Sequence, residues 1–130
     1  MIILDTSAVV ALARGHRTLQ RVADNANASP FRHLQVPALC LLQAEVDDES
    51  AGDAALAFPG IDVIPLDTVA SVTVARMVRG GLGGPDVCHA LYAALPAPHR
   101  PTMDLILTGR EDLYPPGTVT VDIDDERLED

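Results

Sequence analysis

The feature that most constrains the fold of this chain is the alternation of short apolar runs with longer segments of helical character. Four apolar runs predict strands: MIILD at 1–5, IDVIPL at 61–66, LILT at 105–108 and TVTVDI at 118–123. Helical segments lie between them, at 8–15, 16–27, 37–49, 68–78 and 86–95. Strands that alternate with helices predict an α/β fold, a three-layer α/β/α sandwich with a mostly parallel central sheet and 118–123 at its edge.

The length and composition fit one domain without covalent cross-links. Of the 130 residues, 48% are hydrophobic, and a chain of this size can bury roughly two thirds of its surface. We assign residues 1–123 to the domain and expect the acidic segment 124–130 to fray. Cys40 and Cys88 form no CxxC pair and stand in apolar stretches, which predicts buried free thiols and a reducing cytoplasm. We expect no signal peptide, and no apolar run approaches the ~20 residues that span a membrane.

Charge is distributed unevenly along the chain, and its net value is −10. Residues 1–43 carry four arginines and two aspartates, a balance of +2, whereas residues 44–130 carry five arginines and seventeen acids, a balance of −12. The net charge argues against long-range attraction of nucleic acid, so a local basic surface would have to supply it. Arg14, Arg17 and Arg21 fall at helical spacing and predict such a contact surface, for RNA or for an acidic protein segment. A solvated basic face is the alternative.

The chain contains no lysine, which excludes two classes of α/β protein. A phosphorylated receiver domain needs a lysine near its last strand, and a P-loop enzyme needs one in its phosphate-binding loop. We therefore interpret the glycine-rich segment RGGLGGP as a flexible loop, with a contact to RNA as the alternative. A phosphatase of the haloacid-dehalogenase type needs a second aspartate two residues after the first, and this chain has Ser7 there.

Three acids stand where a site at a sheet edge would need them, and each also has a plain structural explanation. Asp5 follows the first strand, at the end where ligands of open α/β sheets gather, but it also suits a helix N-cap. Glu45 ends an apolar helical stretch, yet with Asp48 and Glu49 it could belong to a solvated acidic face. Asp86 opens a helix, where an acid interacts well with the helix dipole. Spacing alone cannot choose among Glu45, Asp48 and Glu49 as a metal ligand.

Together these segments resemble the PIN domain, and they are most similar to the VapC-type toxins of toxin–antitoxin pairs. The resemblance covers essentially the whole chain and is carried by MIILDTSAVVALARG, VPALCLLQAE, DVCHALYAA and LILTGREDLYPPG. It implies a ribonuclease that uses Mg²⁺ or Mn²⁺ and leaves a 5′-phosphate and a 3′-hydroxyl. It also implies an RNA substrate, a cognate antitoxin that would contact the basic face, and a homodimer.

The resemblance assigns roles to residues of this chain. The catalytic metal ligands would be three acids: Asp5, Glu45 and Asp86. Hard oxygen ligands of this kind suit both cations. Three hydroxyl side chains would orient Asp5 or line the same pocket: Thr6, Ser7 and Thr108.

One position departs from the family pattern. The family usually places a fourth acid or an asparagine two residues after the threonine that ends the late strand, and this chain has Arg110 there. Glu111 or Asp112 could substitute, whereas Asp104 precedes its strand and is expected at the opposite end of the sheet. The departure leaves an alternative, a catalytically degenerate PIN-like domain that acts by binding RNA or a protein partner.

Overall fold

The computed structural model of the protein describes residues 1–28, 33–98 and 101–129. Its strands are β1 (Ile2–Leu4), β2 (Leu34–Pro37), β3 (Ile61–Ile64), β4 (Leu105–Thr108) and β5 (Thr120–Asp122). They form a five-stranded sheet in the order β3-β2-β1-β4-β5, in which every neighbouring pair is parallel. The predicted parallel sheet is confirmed, and β5 lies at its edge as expected.

Helices cover both faces of this sheet. They are α1 (Thr6–Ala13), α2 (Arg17–Ala26), α3 (Ala38–Asp47), α4 (Ala51–Leu56), α5 (Thr68–Arg79) and α6 (Pro85–Ala94). Ile3 and Leu4 in the central strand β1 are both fully buried, and so are Ile106 and Leu107 in β4. Because successive strand residues point to opposite faces, burial of adjacent pairs requires cover on both sides. The three-layer α/β/α prediction is therefore confirmed.

The entry into α3 differs from the expectation. No strand is predicted at 34–37, and Pro37 is expected in the first turn of a helix; both expectations are wrong. Pro37 pairs in register with Ile64 as the last residue of β2, and it is also the N-cap of α3. The strand passes into the helix without a loop, so no turn residue marks the boundary. The fixed φ of proline, −60° here, suits both positions.

The segment of small residues that follows α3 forms the short helix α4. Ala51, Gly52 and Ala55 of this helix are buried, and α4 packs against α1 and α3. Ser50, which precedes it, has a φ of 73°, in the left-handed region that few residues other than glycine adopt. The small side chains thus form a close packing surface between helices.

The acidic segment 124–130 is not frayed in its described part. Glu126–Glu129 forms a 3₁₀ turn, and Leu128 packs against the hydrophobic core. Asp124 is anchored as well, because its Oδ1 lies 2.9 Å from Nε2 of His16. The folded unit therefore continues beyond residue 123, because an apolar side chain in the tail adds burial that charge composition does not reveal. Asp130 lies outside the described residues.

Both cysteines are buried and free, as predicted. Burial raises the pKa of the Cys40 thiol, and it also raises that of Cys88. In the parts of the chain that the structure describes, no helix has the length and apolar character to cross a membrane.

Candidate active site

Asp5 lies at the carboxyl end of β1, where the chain passes directly into α1. Its Oδ1 accepts hydrogen bonds from the Ala8 amide at 3.0 Å and from the Ser7 hydroxyl at 2.7 Å, which makes Asp5 the N-cap of α1. The residue is 3% exposed. The capping role that the sequence left open is therefore present, and it fixes the carboxylate at the edge of the sheet where ligands gather.

Tyr114 forms a hydrogen bond with the second oxygen of the Asp5 carboxylate, Oδ2. Its hydroxyl donates to Asp5 Oδ2 at 2.7 Å, across 109 positions of sequence. Burial raises the pKa of Tyr114, and the negative charge of Asp5 raises it further, so the phenol remains protonated and a donor. The sequence identifies Tyr114 only as a late aromatic residue of the resemblance. No local pattern could have shown a contact that depends on the whole fold.

Asp86 lies in the first turn of α6, directly after Pro85 at the first helical position. Thr6 Oγ1 donates to Asp86 Oδ2 at 2.6 Å. Since Thr6 is the neighbour of Asp5 in sequence, this bond holds the start of α6 against the start of α1 and brings the two acids together. Cys40 lies beside them, since its Sγ donates to the backbone oxygen of Asp86 at 3.2 Å, and burial, followed by the charges of Asp5 and Asp86, raises the pKa of its thiol.

Ser7 and Thr108 connect Asp5 to the end of β4 through hydrogen bonds. Ser7 Oγ lies 3.2 Å from Thr108 Oγ1 and accepts a hydrogen bond from the Gly109 amide at 2.8 Å. Thr108 is fully buried at the end of β4, and its Oγ1 also accepts from the Arg110 amide at 2.9 Å. The β4 terminus thus orients Ser7, and Ser7 donates to Asp5.

Glu45 forms its hydrogen bonds with the start of α4. Its Oε2 accepts from the Ser50 amide at 2.8 Å, and its Oε1 accepts from the Gly52 amide at 3.1 Å. Both donors belong to the start of α4, whose amides lack partners within the helix. The Glu45 carboxylate therefore caps α4 and does not line the cleft that contains Asp5 and Asp86.

The other acids near the end of α3 are distributed between the cleft and solvent. Asp47, which the sequence does not single out as a ligand, lines the cleft and accepts from Gln43 Nε2 at 2.8 Å. Asp48 accepts from Arg14 Nε at 3.0 Å, and Glu49 is exposed. The structure thus brings Asp47 to the cleft in place of the three residues among which the sequence could not choose.

Arg110 lines the cleft, and the acid that its guanidinium binds is neither Asp5 nor Asp86. Its Nε and Nη2 donate to the two carboxylate oxygens of Asp112 at 3.1 Å each, which lowers the pKa of Asp112. Glu111 accepts from Thr120 Oγ1 at 3.2 Å. Neither Glu111 nor Asp112 lines the cleft. Asp104 is buried, with its Oδ1 3.3 Å from the N-terminal amine.

The three arginines at helical spacing do not lie on one helix. Arg14 is the C-cap of α1, and Gly15 with φ 92° ends that helix before Arg17 begins α2. The predicted shared face is wrong for this reason. Arg14 lines the cleft, whereas Arg17 and Arg21 are exposed on α2.

These elements enclose an open cleft of about 730 Å³ beside the carboxyl ends of β1 and β4. Its titratable and charged lining residues are Asp5, Asp47, Asp86, Arg14, His16 and Arg110. Three acids and two arginines in one lining give a site that suits a small cation together with an anionic ligand.

The donor chemistry of Asp5 and Asp86 fits a hard divalent cation. Mg²⁺ is commonly held by one or two carboxylates and completes its shell with water and substrate oxygens. Within the described ranges, no cluster of three or more acidic, histidine or cysteine side chains is placed to bind a metal. The structure thus gathers two of the three predicted ligands.

Comparisons with known proteins bear on the fold. No protein-family profile and no curated protein matches the chain. Among solved structures, the chain is similar to one in DNA-bound VapBC from Salmonella typhimurium, with a TM-score of 0.59 and 17% sequence identity. The match covers 94% of this chain and 97% of that chain. At this identity, the likeness shows a common fold.

Proposed function

We propose that this protein is a metal-dependent ribonuclease of the PIN type, in which Asp5 and Asp86 hold Mg²⁺ or Mn²⁺ for hydrolysis of RNA phosphodiesters. The observation that carries the proposal is that both carboxylates line one cleft at the carboxyl edge of a parallel sheet, where Thr6, the neighbour of Asp5, donates to Asp86 at 2.6 Å. The fold shared with a chain of VapBC supports it. The expected products are a 5′-phosphate and a 3′-hydroxyl.

The protein residues hold the ligands and receive the substrate. A divalent cation, when bound, neutralises charge on a phosphodiester and favours ionisation of water near neutral pH. Ser7 and the Ala8 amide keep one Asp5 oxygen in place, and Thr6 orients Asp86. Arg110 lines the cleft and is exposed, and its guanidinium pairs with the exposed Asp112, so it can turn to an RNA phosphate.

The partners that fit this proposal are a cognate antitoxin and a second copy of the chain, in the cytoplasm. The neighbouring structure is a VapBC complex bound to DNA, and this supports a toxin–antitoxin role for a chain of the same fold. The exposed arginines of α2, Arg17 and Arg21, remain candidates for contact with an acidic antitoxin segment or with RNA.

A second candidate function is that of a catalytically degenerate PIN-like domain that binds RNA or a protein without cutting. Two contacts favour it. Glu45 is engaged by the start of α4, and Arg110 stands where an acid is usual and binds Asp112. In this alternative the cleft would bind no divalent cation with useful affinity.

Replacement of Asp5 by asparagine tests the two functions. Asn is as good an N-cap as Asp, so the fold should persist, while one negative charge of the cation site is lost. We expect Asp5→Asn to remove Mn²⁺-dependent thermal stabilisation and to lower RNA cleavage by at least about 100-fold, since even indirect changes around metal ligands cost 10–100-fold.

Asp67→Asn is the matched control. Asp67 caps α5 with the same geometry, accepting from the Ala70 amide at 2.8 Å, and it does not line the cleft. This variant should keep both the Mn²⁺ response and the cleavage. Absence of any Mn²⁺ response or RNA cleavage in the wild-type protein would favour the non-catalytic function instead.

A further inference from the structure

Tyr114 donates a hydrogen bond to the Asp5 carboxylate from outside the α1 cap. A carboxylate oxygen offers about two lone pairs. Oδ1 uses both, since it accepts from Ser7 and from the Ala8 amide. Oδ2 accepts from the Tyr114 hydroxyl at 2.7 Å. By the same count Oδ2 keeps one free lone pair, so a cation approaching Asp5 binds at the oxygen that already accepts from Tyr114, and each interaction weakens the other.

Tyr114 also connects this oxygen to the wall of the cleft. It directly follows the 3₁₀ turn Glu111–Leu113, and Leu113 and Arg110 on that segment line the cleft. The start of the segment is attached to the site by amide bonds, from Gly109 to Ser7 and from Arg110 to Thr108. A ligand in the cleft therefore meets the same segment that carries the hydroxyl.

We infer that Tyr114 is a positioning residue that satisfies Asp5 Oδ2 in the metal-free protein and competes with a divalent cation for that oxygen. This inference rests on the proposed function. A cation draws electron density from Oδ2 and weakens its acceptance of the hydroxyl proton, so the hydrogen bond stabilises the metal-free form in preference to the loaded one. Removal of the hydroxyl would leave a nearly inaccessible carboxylate oxygen without its donor, which is unfavourable until a cation binds.

The test is Mn²⁺ binding without RNA, measured by titration calorimetry and by thermal melting in chelator and in Mn²⁺. We expect Tyr114→Phe to melt at a lower temperature in chelator and to bind Mn²⁺ more tightly, by roughly three- to tenfold. The matched control is Tyr92→Phe, which removes the same atom from the other tyrosine of the chain, on α6 outside the cleft lining. It should leave Mn²⁺ affinity unchanged.

The outcomes separate the inference from the proposed function. If the wild-type protein binds Mn²⁺ and Tyr114→Phe binds it equally or more weakly, the inference is overturned. The proposed metal site is not affected by that result. If neither the wild-type protein nor Tyr114→Phe binds Mn²⁺, the proposed function and the inference both fail.

A spectroscopic measurement avoids dependence on the folding of Tyr114→Phe. The chain has no tryptophan, so in the Tyr92→Phe protein Tyr114 is the sole source of near-ultraviolet tyrosine absorbance. A phenol that donates to a carboxylate absorbs at longer wavelength than one that does not. We expect Mg²⁺ to shift the Tyr114 band to shorter wavelength as Oδ2 is taken. A band that does not move in protein shown by calorimetry to be loaded overturns the inference.

Discussion

The residues of the candidate site differ in how far along the chain their hydrogen-bond partners lie. Contacts between near neighbours can be predicted from sequence, whereas contacts between distant residues cannot. Asp5 and Asp86 stand at a strand end and a helix start, and both positions are encoded by a few neighbouring residues. That both line one cleft was an expectation from the family resemblance, because Asp86 follows a loop and not a strand, and the strand order alone does not bring it to Asp5. Tyr114 reaches Asp5 from 109 positions away, and no short-range pattern encodes that contact. Glu45 lies in a helix, as predicted, but its carboxylate accepts from an amide of α4, a helix that the sequence did not predict.

Arg110 and Arg127 provide a matched pair for testing phosphate recognition. Each guanidinium binds an aspartate two positions away through Nε and Nη2, and each is largely exposed. Exposed ion pairs contribute little stability, so either arginine can release its partner. Only Arg110 of the two lines the cleft. We expect Arg110→Ala to weaken RNA binding by up to about tenfold, measured by fluorescence anisotropy in an Asp5→Asn background, and Arg127→Ala to leave it unchanged.

A charge reversal at the same position tests whether the Arg110 side chain turns toward Asp5 and Asp86 in solution. Because Arg110 contacts Asp112 and not Asp5 or Asp86, Arg110→Asp should change Mn²⁺ affinity by less than about threefold. A large gain in Mn²⁺ affinity and cleavage would mean that Arg110 turns inward in solution and competes with the cation.

At the scale of elements, the sequence predicts best where polarity and turn residues mark the ends. β4 is predicted with its observed bounds, because apolar residues 105–107 are followed by Gly109 and acids. β2 and α4 were not predicted, for two different reasons. β2 passes into α3 through Pro37 with no turn between them, and α4 consists of small residues with weak periodicity. Tertiary packing fixes both elements, which local propensity cannot report.

The cap on α4 gives a prediction at this scale. Glu45→Ala removes the acceptor of two amides at the start of that helix, and we expect the free energy of unfolding in metal-free buffer to fall by about 1 kcal/mol. Chemical denaturation monitored by circular dichroism measures the change. Glu49→Ala is the control, because Glu49 is an exposed acid four residues further on and should be near neutral.

Equal stability of Glu45→Ala and the wild-type protein would contradict the cap. The Glu45 carboxylate would then be free to join Asp5 and Asp86. In that case Mn²⁺ affinity would fall in Glu45→Ala and remain unchanged in Glu49→Ala.

At the scale of the whole molecule, the apolar pattern of the sequence predicts the fold, whereas the distribution of charge bears on how RNA could bind. The alternation of apolar runs and helical segments was sufficient to predict the parallel sheet, since βαβ connections leave few topologies. The negative charge of residues 44–130 is not part of that argument, but it bears on the cleft, whose lining includes Asp47 and Asp86 from this part of the chain. In the proposed function, RNA must therefore be bound through few local contacts.

This limit on phosphate contacts predicts a weak salt dependence of RNA binding. Two arginines, Arg14 and Arg110, line the cleft, and each phosphate contact with a single strand contributes about −0.7 to the slope of log K against log salt concentration. We therefore expect a slope no steeper than about −1.4 for single-stranded RNA, measured with Asp5→Asn protein so that binding is not complicated by cleavage. The paired charge reversal Arg17→Glu with Arg21→Glu should leave that slope unchanged, because α2 does not line the cleft. A slope of about −3 or steeper, reduced by the paired reversal, would show that RNA extends over α2 and that the basic N-terminal third is the main binding surface.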